Sequence, residues 1–186
     1  MTTPVEQTLE AKLGLLKYPK DTKLSYKLDQ TVPWVAELLR EMNETATDKT
    51  PGEWLLETNL AIQLDLTKKY KNEEGEYLLA AGSFQCTYAT EDVRTLDSMK
   101  VSMEVSFKAI FLAEPVTKTD AFAEINETWM DGDTYEIYPY VKGTVDIGEM
   151  LHEQLFLHRI PYPMMNTSEE GTEELDGGLE TDKPRQ

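Results

Sequence analysis

The chain has 186 residues, 40% of them apolar, with 35 acidic side chains against 18 basic ones and a net charge of −17. That length fits one domain with short tails, and the apolar share is enough for a core, which excludes wholesale disorder. The charge excludes a direct grip on a nucleic-acid backbone, which needs Lys and Arg to displace counterions; it steers basic proteins toward the surface instead, less so as salt rises.

Cys86 is the only cysteine, so no intramolecular disulfide can form, which suits a reducing compartment. Residues 1–14 lack the charged-then-apolar layout of a signal peptide. No stretch approaches the roughly 20 apolar residues that span a bilayer. A cytoplasmic protein with no membrane partner is expected.

In chain order, the first clear element is a helix over 31–43. Thr31 stands as its cap and Pro33 in its first turn, with Trp34, Val35, Leu38, Leu39 and Met42 recurring at three- and four-residue steps. Residues 43–52 are polar, end in Pro51-Gly52 and read as a loop. From Trp54 the period becomes two: Leu56, Thr58, Leu60, Ile62, Leu64 and Leu66 share one face of a long strand. Asn72-Glu-Glu-Gly75 reads as a hairpin turn, with Gly75 free to take a positive φ. A second strand follows over 76–88, and Gly82 within it marks a bulge or a close backbone contact.

Met99, Val101, Met103, Val105, Phe107, Ala109 and Phe111 define a third strand, closed by Pro115. A helical turn is expected around 122–125, and a short edge strand over 134–140, given its Pro139. The last element is a helix over 146–159, started by Asp146 and Glu149 as an acidic capping box and stopped by Pro161 and Pro163. Ile147, Met150, Leu151, Gln154, Leu155 and His158 fall on one side of it. Residues 168–186 hold seven acids, two bases and three glycines, and read as a disordered acidic tail after a single domain over 1–167. The fold class expected is α+β: a curved antiparallel sheet of long strands packed by two amphipathic helices.

No local motif supports catalysis, a cofactor or a metal. His152 and His158 are six residues apart, whereas a zinc helix needs four; His152 is expected to be exposed, and His158 to pack near the helix end. Cys86 lies in an apolar strand without a neighbouring base and reads as structural. Asp131-Gly-Asp133 opens like a calcium loop, but Tyr135 and Ile137 fill later ligand positions. The outward face of the last helix, with Glu149, His152, Glu153 and Arg159, is the candidate partner-binding surface.

Asp146, Glu153, Gln154, Leu155, Leu157 and Pro161 resemble the C-terminal signature of the bacterial YceD-like family: an Ile-Asp-Leu entry, a Glu-Gln-Leu-x-Leu helix and a proline-bearing exit. Upstream, Asp92-Val-Arg-Thr-Leu96 resembles the family's Cys-x-Arg-Cys-Leu element, keeping Arg94 and Leu96 but with Asp92 and Thr95 in place of both cysteines. The resemblance covers about residues 50–165. It implies a non-enzymatic part in large-subunit ribosomal RNA accumulation. With this charge, the expected contact is a basic large-subunit ribosomal protein, and rRNA only indirectly. A metal or redox role through those cysteines is not carried over. Two other segments, Glu136-Ile-Tyr-Pro-Tyr-Val-Lys142 ahead of a helix and Ala81-Gly-Ser-Phe84 in a strand, resemble the export chaperone SecB. That resemblance implies binding of unfolded polypeptide.

Overall fold

The computed structural model describes residues 8–165. Its first half runs β1 (Lys12–Gly14), β2 (Lys23–Asp29), α1 (Pro33–Met42), α2 (Pro51–Trp54), β3 (Asn59–Lys71) and β4 (Gly75–Glu91). Then follow β5 (Ser98–Ala113), α3 (Glu114–Thr117), β6 (Glu127–Met130), β7 (Asp133–Tyr140), β8 (Thr144–Asp146) and α4 (Ile147–Leu157). Six strands form one sheet in the order β2-β3-β4-β5-β7-β6, antiparallel except where β7 runs parallel to β5; β1 and β8 make a separate antiparallel pair. The sheet is curved and open, so the α+β architecture read from the sequence is the one observed.

Period-two alternation explains which face is covered. Leu60, Ile62, Leu64 and Leu66 of β3 lie beside Ala80, Phe84 and Cys86 of β4 and Phe107, Ala109 and Phe111 of β5, all buried. Val35, Leu39 and Met42 of α1 and Met150, Leu151 and Leu155 of α4 close over them in one cluster. Each such side chain contributes roughly 1.5–3 kcal/mol by leaving water. On the opposite face Tyr77, Leu79, Ile110 and Leu112 meet Met130, Tyr135 and Phe122 of the connection after β5, so only one end is covered there. The remainder of that face is polar, with Gln63, Gln85, Ser102 and Glu104 in cross-strand positions.

Several boundaries differ from the sequence reading. Val32, not Thr31, is the cap of α1; the Thr31 hydroxyl and N–H instead donate to Asp29, a turn that competes with capping. The expected loop over 43–52 ends in α2, where Thr50 and Glu53 form a capping box. That helix displaces the start of β3 to Asn59, and Leu56 is exposed rather than on the apolar face. The turn at 72–75 is present with Gly75 at φ 69°. Gly82 makes a close backbone contact in an unbroken register with Leu64 and Phe107, with no bulge. The turn expected near 122–125 is present, with the Phe122 and Ala123 N–H groups donating to the Thr119 carbonyl and the Ile125 N–H to the Phe122 carbonyl; helix α3 before it and strand β6 after it were not read from the sequence. Strand β7 is not an edge, because β6 covers its first half; Pro139 lies past the end of β6, where no ladder donor is required. The strands β1 and β2 lie in the segment before residue 31, where the sequence reading placed no element.

Candidate interaction surface

Helix α4 is held at both ends and along one side. The Asp146 carboxylate accepts the Glu149 N–H at 2.9 Å, but the reciprocal half of the expected capping box does not form. The carbonyl of Ala11 accepts the N–H groups of Ile147 and Gly148, at 2.8 and 3.0 Å. Ile147, Met150, Leu151, Gln154 and Leu155 are buried, as the pattern required. Gln154 is the polar member, and its amide donates to the Tyr138 hydroxyl at 2.9 Å and to the Glu136 carboxylate. Burial is the main reason the Tyr138 hydroxyl is pushed up to about 12.

The four expected partner-binding residues divide into two pairs. His152 meets Glu41 of α1 at 2.8 Å and stacks on Phe156, with ring centroids 4.5 Å apart. Arg159 donates to the Thr45 hydroxyl, and its guanidinium lies 5.7 Å from the Tyr88 ring centroid. Both therefore brace α4 against α1 and β4. Glu149 and Glu153 are both exposed, and these two keep their carboxylates toward solvent. His158, expected to pack, is exposed at the helix end, with its Nδ1 2.8 Å from the Gln154 carbonyl.

The Asp92–Leu96 turn and the exit segment Pro161–Met165 meet in space. Asp92 is fully buried; its carboxylate accepts the N–H groups of Arg94 at 2.8 Å, Thr95 at 3.3 Å and Met165 at 2.6 Å. The Val93 N–H donates to the Pro163 carbonyl at 3.1 Å, and the Arg94 guanidinium to the Met165 carbonyl at 3.0 Å. Leu96 closes the turn at φ 63° with its side chain 71% exposed. Upstream of the exit segment, the Ile160 N–H donates to the Tyr88 hydroxyl at 3.1 Å. These bonds fix five solvent-facing apolar side chains in one region: Val93, Ile160, Tyr162, Met164 and Met165. Exposed Leu157 precedes them at the end of α4, and exposed Pro161 lies within the segment. The run Pro-Tyr-Pro-Met-Met after the helix was the sequence signal for this surface; the sequence reading used its prolines as helix stops and Pro161 as part of the family resemblance, and left the apolar side chains beside them unread.

The N–H groups of Met165 and Arg94 hold the Asp92 carboxyl below the usual carboxylate range, against the opposing effect of desolvation. A depressed folded value contributes stability above the unfolded value of about 3.9, and that contribution is lost as pH falls through the folded value. Acidification below about pH 4 should therefore release the exit segment first. Hydrogen exchange at the Met165 amide would report it, and Asp92→Asn should flatten that pH dependence. Equal protection of the wild-type amide at neutral pH and at about pH 3 would contradict this account.

Other candidate chemistry resolves structurally. Burial raises the Cys86 thiol to about 12, so it carries no thiolate at neutral pH. Asp131 and Gly132 form the β6–β7 turn at φ 51° and 88°, and Asp131 and Asp133 pair with Lys69 and Lys108 rather than facing a shared cavity. Among the described residues no group of three or more His, Cys, Asp or Glu side chains converges to hold a metal. No described helix is long and apolar enough to cross a membrane. The acidic segment 168–186 lies outside the described residues. No family model, curated protein or solved structure matches the chain.

Proposed function

We propose that this protein holds segments of other polypeptides in an extended, non-native form, in the manner the SecB resemblance implies. One observation carries the reading: Val93, Ile160, Tyr162, Met164 and Met165 present an exposed apolar surface fixed by backbone hydrogen bonds, in a chain of net charge −17. Such a surface favours apolar stretches flanked by basic residues, through burial and long-range attraction together. The placement of the two resembling segments supports it as well. Residues 136–142 lead through β8 into α4, and Gly82 stands at a point in β4 where no side chain fits.

The test is light scattering of a chemically unfolded basic protein diluted into buffer. The wild-type chain should suppress aggregation near equimolar ratio. Tyr162→Glu with Met164→Glu and Met165→Glu should lose most of that effect while melting at the same temperature, since all three side chains are exposed. Unchanged aggregation in the presence of excess wild-type protein would end this reading.

A ribosome-assembly role of the YceD-like type is the second reading. It is favoured by one observation: the Asp92–Leu96 turn, the upstream element of that resemblance, is hydrogen-bonded to the segment that follows the signature helix, at Pro163 and Met165. Against it, Asp146, Gln154 and Leu155 serve the fold of α4 itself. Low-salt capture of large-subunit ribosomal proteins or precursor particles, with no suppression of aggregation, would favour this reading over the first.

A further inference from the structure

Strand β5 is 16 residues long, yet its two edges are used unequally. One edge pairs with β4 from Ser98 to Phe111; the other pairs with β7 only from Ala109 to Ala113. Among the described residues, 98–108 therefore have a second edge with no strand beside it and no backbone hydrogen bond to any loop. About ten residues at 3.4 Å each leave roughly 35 Å of open ladder. Exposed edges are commonly guarded by charge, and this one carries Lys100, Glu104 and Lys108 on its solvent face.

Those charges are ordered in a way that selects one partner. We propose that this edge pairs antiparallel with the same edge of a second copy of the chain, with Ser102 of one copy opposite Ser102 of the other. In that register Lys100 of each copy faces Glu104 of the other, so two ion pairs flank the two-fold axis. Ser98 then faces Ser106. On the other face Val101 opposes Met103 and Met99 opposes Val105, and the partly buried side chains of Met99, Met103 and Val105 gain cover.

Neighbouring registers lack this match. Centring on Glu104 sets two carboxylates opposite each other and Lys100 against Lys108, which is repulsive. Centring on Val101 or Met103 leaves Lys100 and Glu104 each opposite a serine. Shifts toward the other end of the strand collide with β7. The chosen register also brings exposed Leu96 of one copy opposite Lys108 of the other. A cleft of about 540 Å³ lies there, lined by Ser106, Phe107, Lys108, Glu127, Thr134 and Glu136, where β7 departs from β5. An isologous contact of this kind closes at two copies, so it does not propagate into fibres.

Charge reversal with rescue tests the pairing. Lys100 lies across from Ala89 on β4, and Glu104 from Gln85, so neither side chain has an opposite charge directly across within its own copy. Sedimentation should give twice the chain mass for the wild-type protein. Lys100→Glu alone and Glu104→Lys alone should each lower it toward the single-chain mass, while keeping the circular dichroism and melting temperature of the parent. The double variant, K100E with E104K, restores both ion pairs and should restore the dimer. A monomeric wild-type chain overturns the proposal, as does a dimer that the single reversals leave intact. Because the readout is mass, its outcome is separate from that of the aggregation assay.

Discussion

Gly82→Ala should destabilise the chain by about 3 kcal/mol or more, at or beyond the upper end of what overpacking usually costs. A Cβ at this position would sit 2.1 Å from the Gln63 carbonyl oxygen and 3.1 Å from the Phe107 ring. The ring can give way, but the carbonyl belongs to the backbone of β3, in the centre of the sheet, and cannot rotate aside. Relief requires β3 and β4 to separate, which loosens one of the two long ladders at the centre of the sheet. Ser83→Ala, next along the strand and pointing to the polar face, is the matched control and should change little. Urea unfolding reads both; an alanine variant at 82 within about 1 kcal/mol of the parent would show that the strands part more easily than this geometry allows.

Asn43→Ala should cost about 1–3 kcal/mol through a single stranded donor. Asn43 is fully buried just past α1; its carbonyl oxygen accepts the Ala89 N–H at 2.8 Å, and its amide donates to the Thr58 hydroxyl at 3.0 Å. That hydroxyl has one hydrogen, already given to the Trp54 carbonyl at 2.7 Å, so it needs a donor from Asn43. Alanine leaves the Ala89 N–H unpaired in a site without water access. Asn43→Asp should fare no better at neutral pH, since it keeps the acceptor for Ala89 but sets an acceptor against the Thr58 oxygen and buries a charge. Chemical denaturation of the three proteins side by side would decide this; an aspartate variant as stable as the parent would refute the hydrogen-bond assignment.

These two positions also mark the boundary of what the sequence could say. Gly82 was legible: a glycine among alternating apolar residues implies a missing side chain's worth of space, and Gln63 supplies the reason. The sheet was legible for the same cause, because alternation over β3, β4 and β5 is long enough to outweigh local propensity. Asn43 was not legible. Its partners lie 15 and 46 residues away, and a polar residue after a helix reads as loop until those partners are known. Leu56 misled by continuing a period-two pattern into residues that Thr50, Pro51 and Glu53 turn into a short helix. In the candidate surface, the last helix was legible as an element but the contacts its outward face makes within the chain were not: the bracing of His152 by Glu41 and of Arg159 by Thr45 depends on where α1 and the loop after it lie. The apolar exit segment escaped notice because exposure, unlike periodicity, is set by the tertiary path of the chain.

The pairing of β1 with β8 has a kinetic side. Lys12 faces Asp146 and Gly14 faces Thr144, so this small ladder closes nearly the whole described chain into one loop. Contacts of such long sequence separation form late, after the loop entropy has been met by everything between them. During synthesis the early strand has no partner until residue 146 has emerged, an interval on the order of ten seconds at ordinary elongation rates. Only then can the Ala11 carbonyl accept the first N–H groups of α4. The nascent chain thus spends its longest unfinished period with the start of its final helix unclosed, and its ends are the last parts to become native.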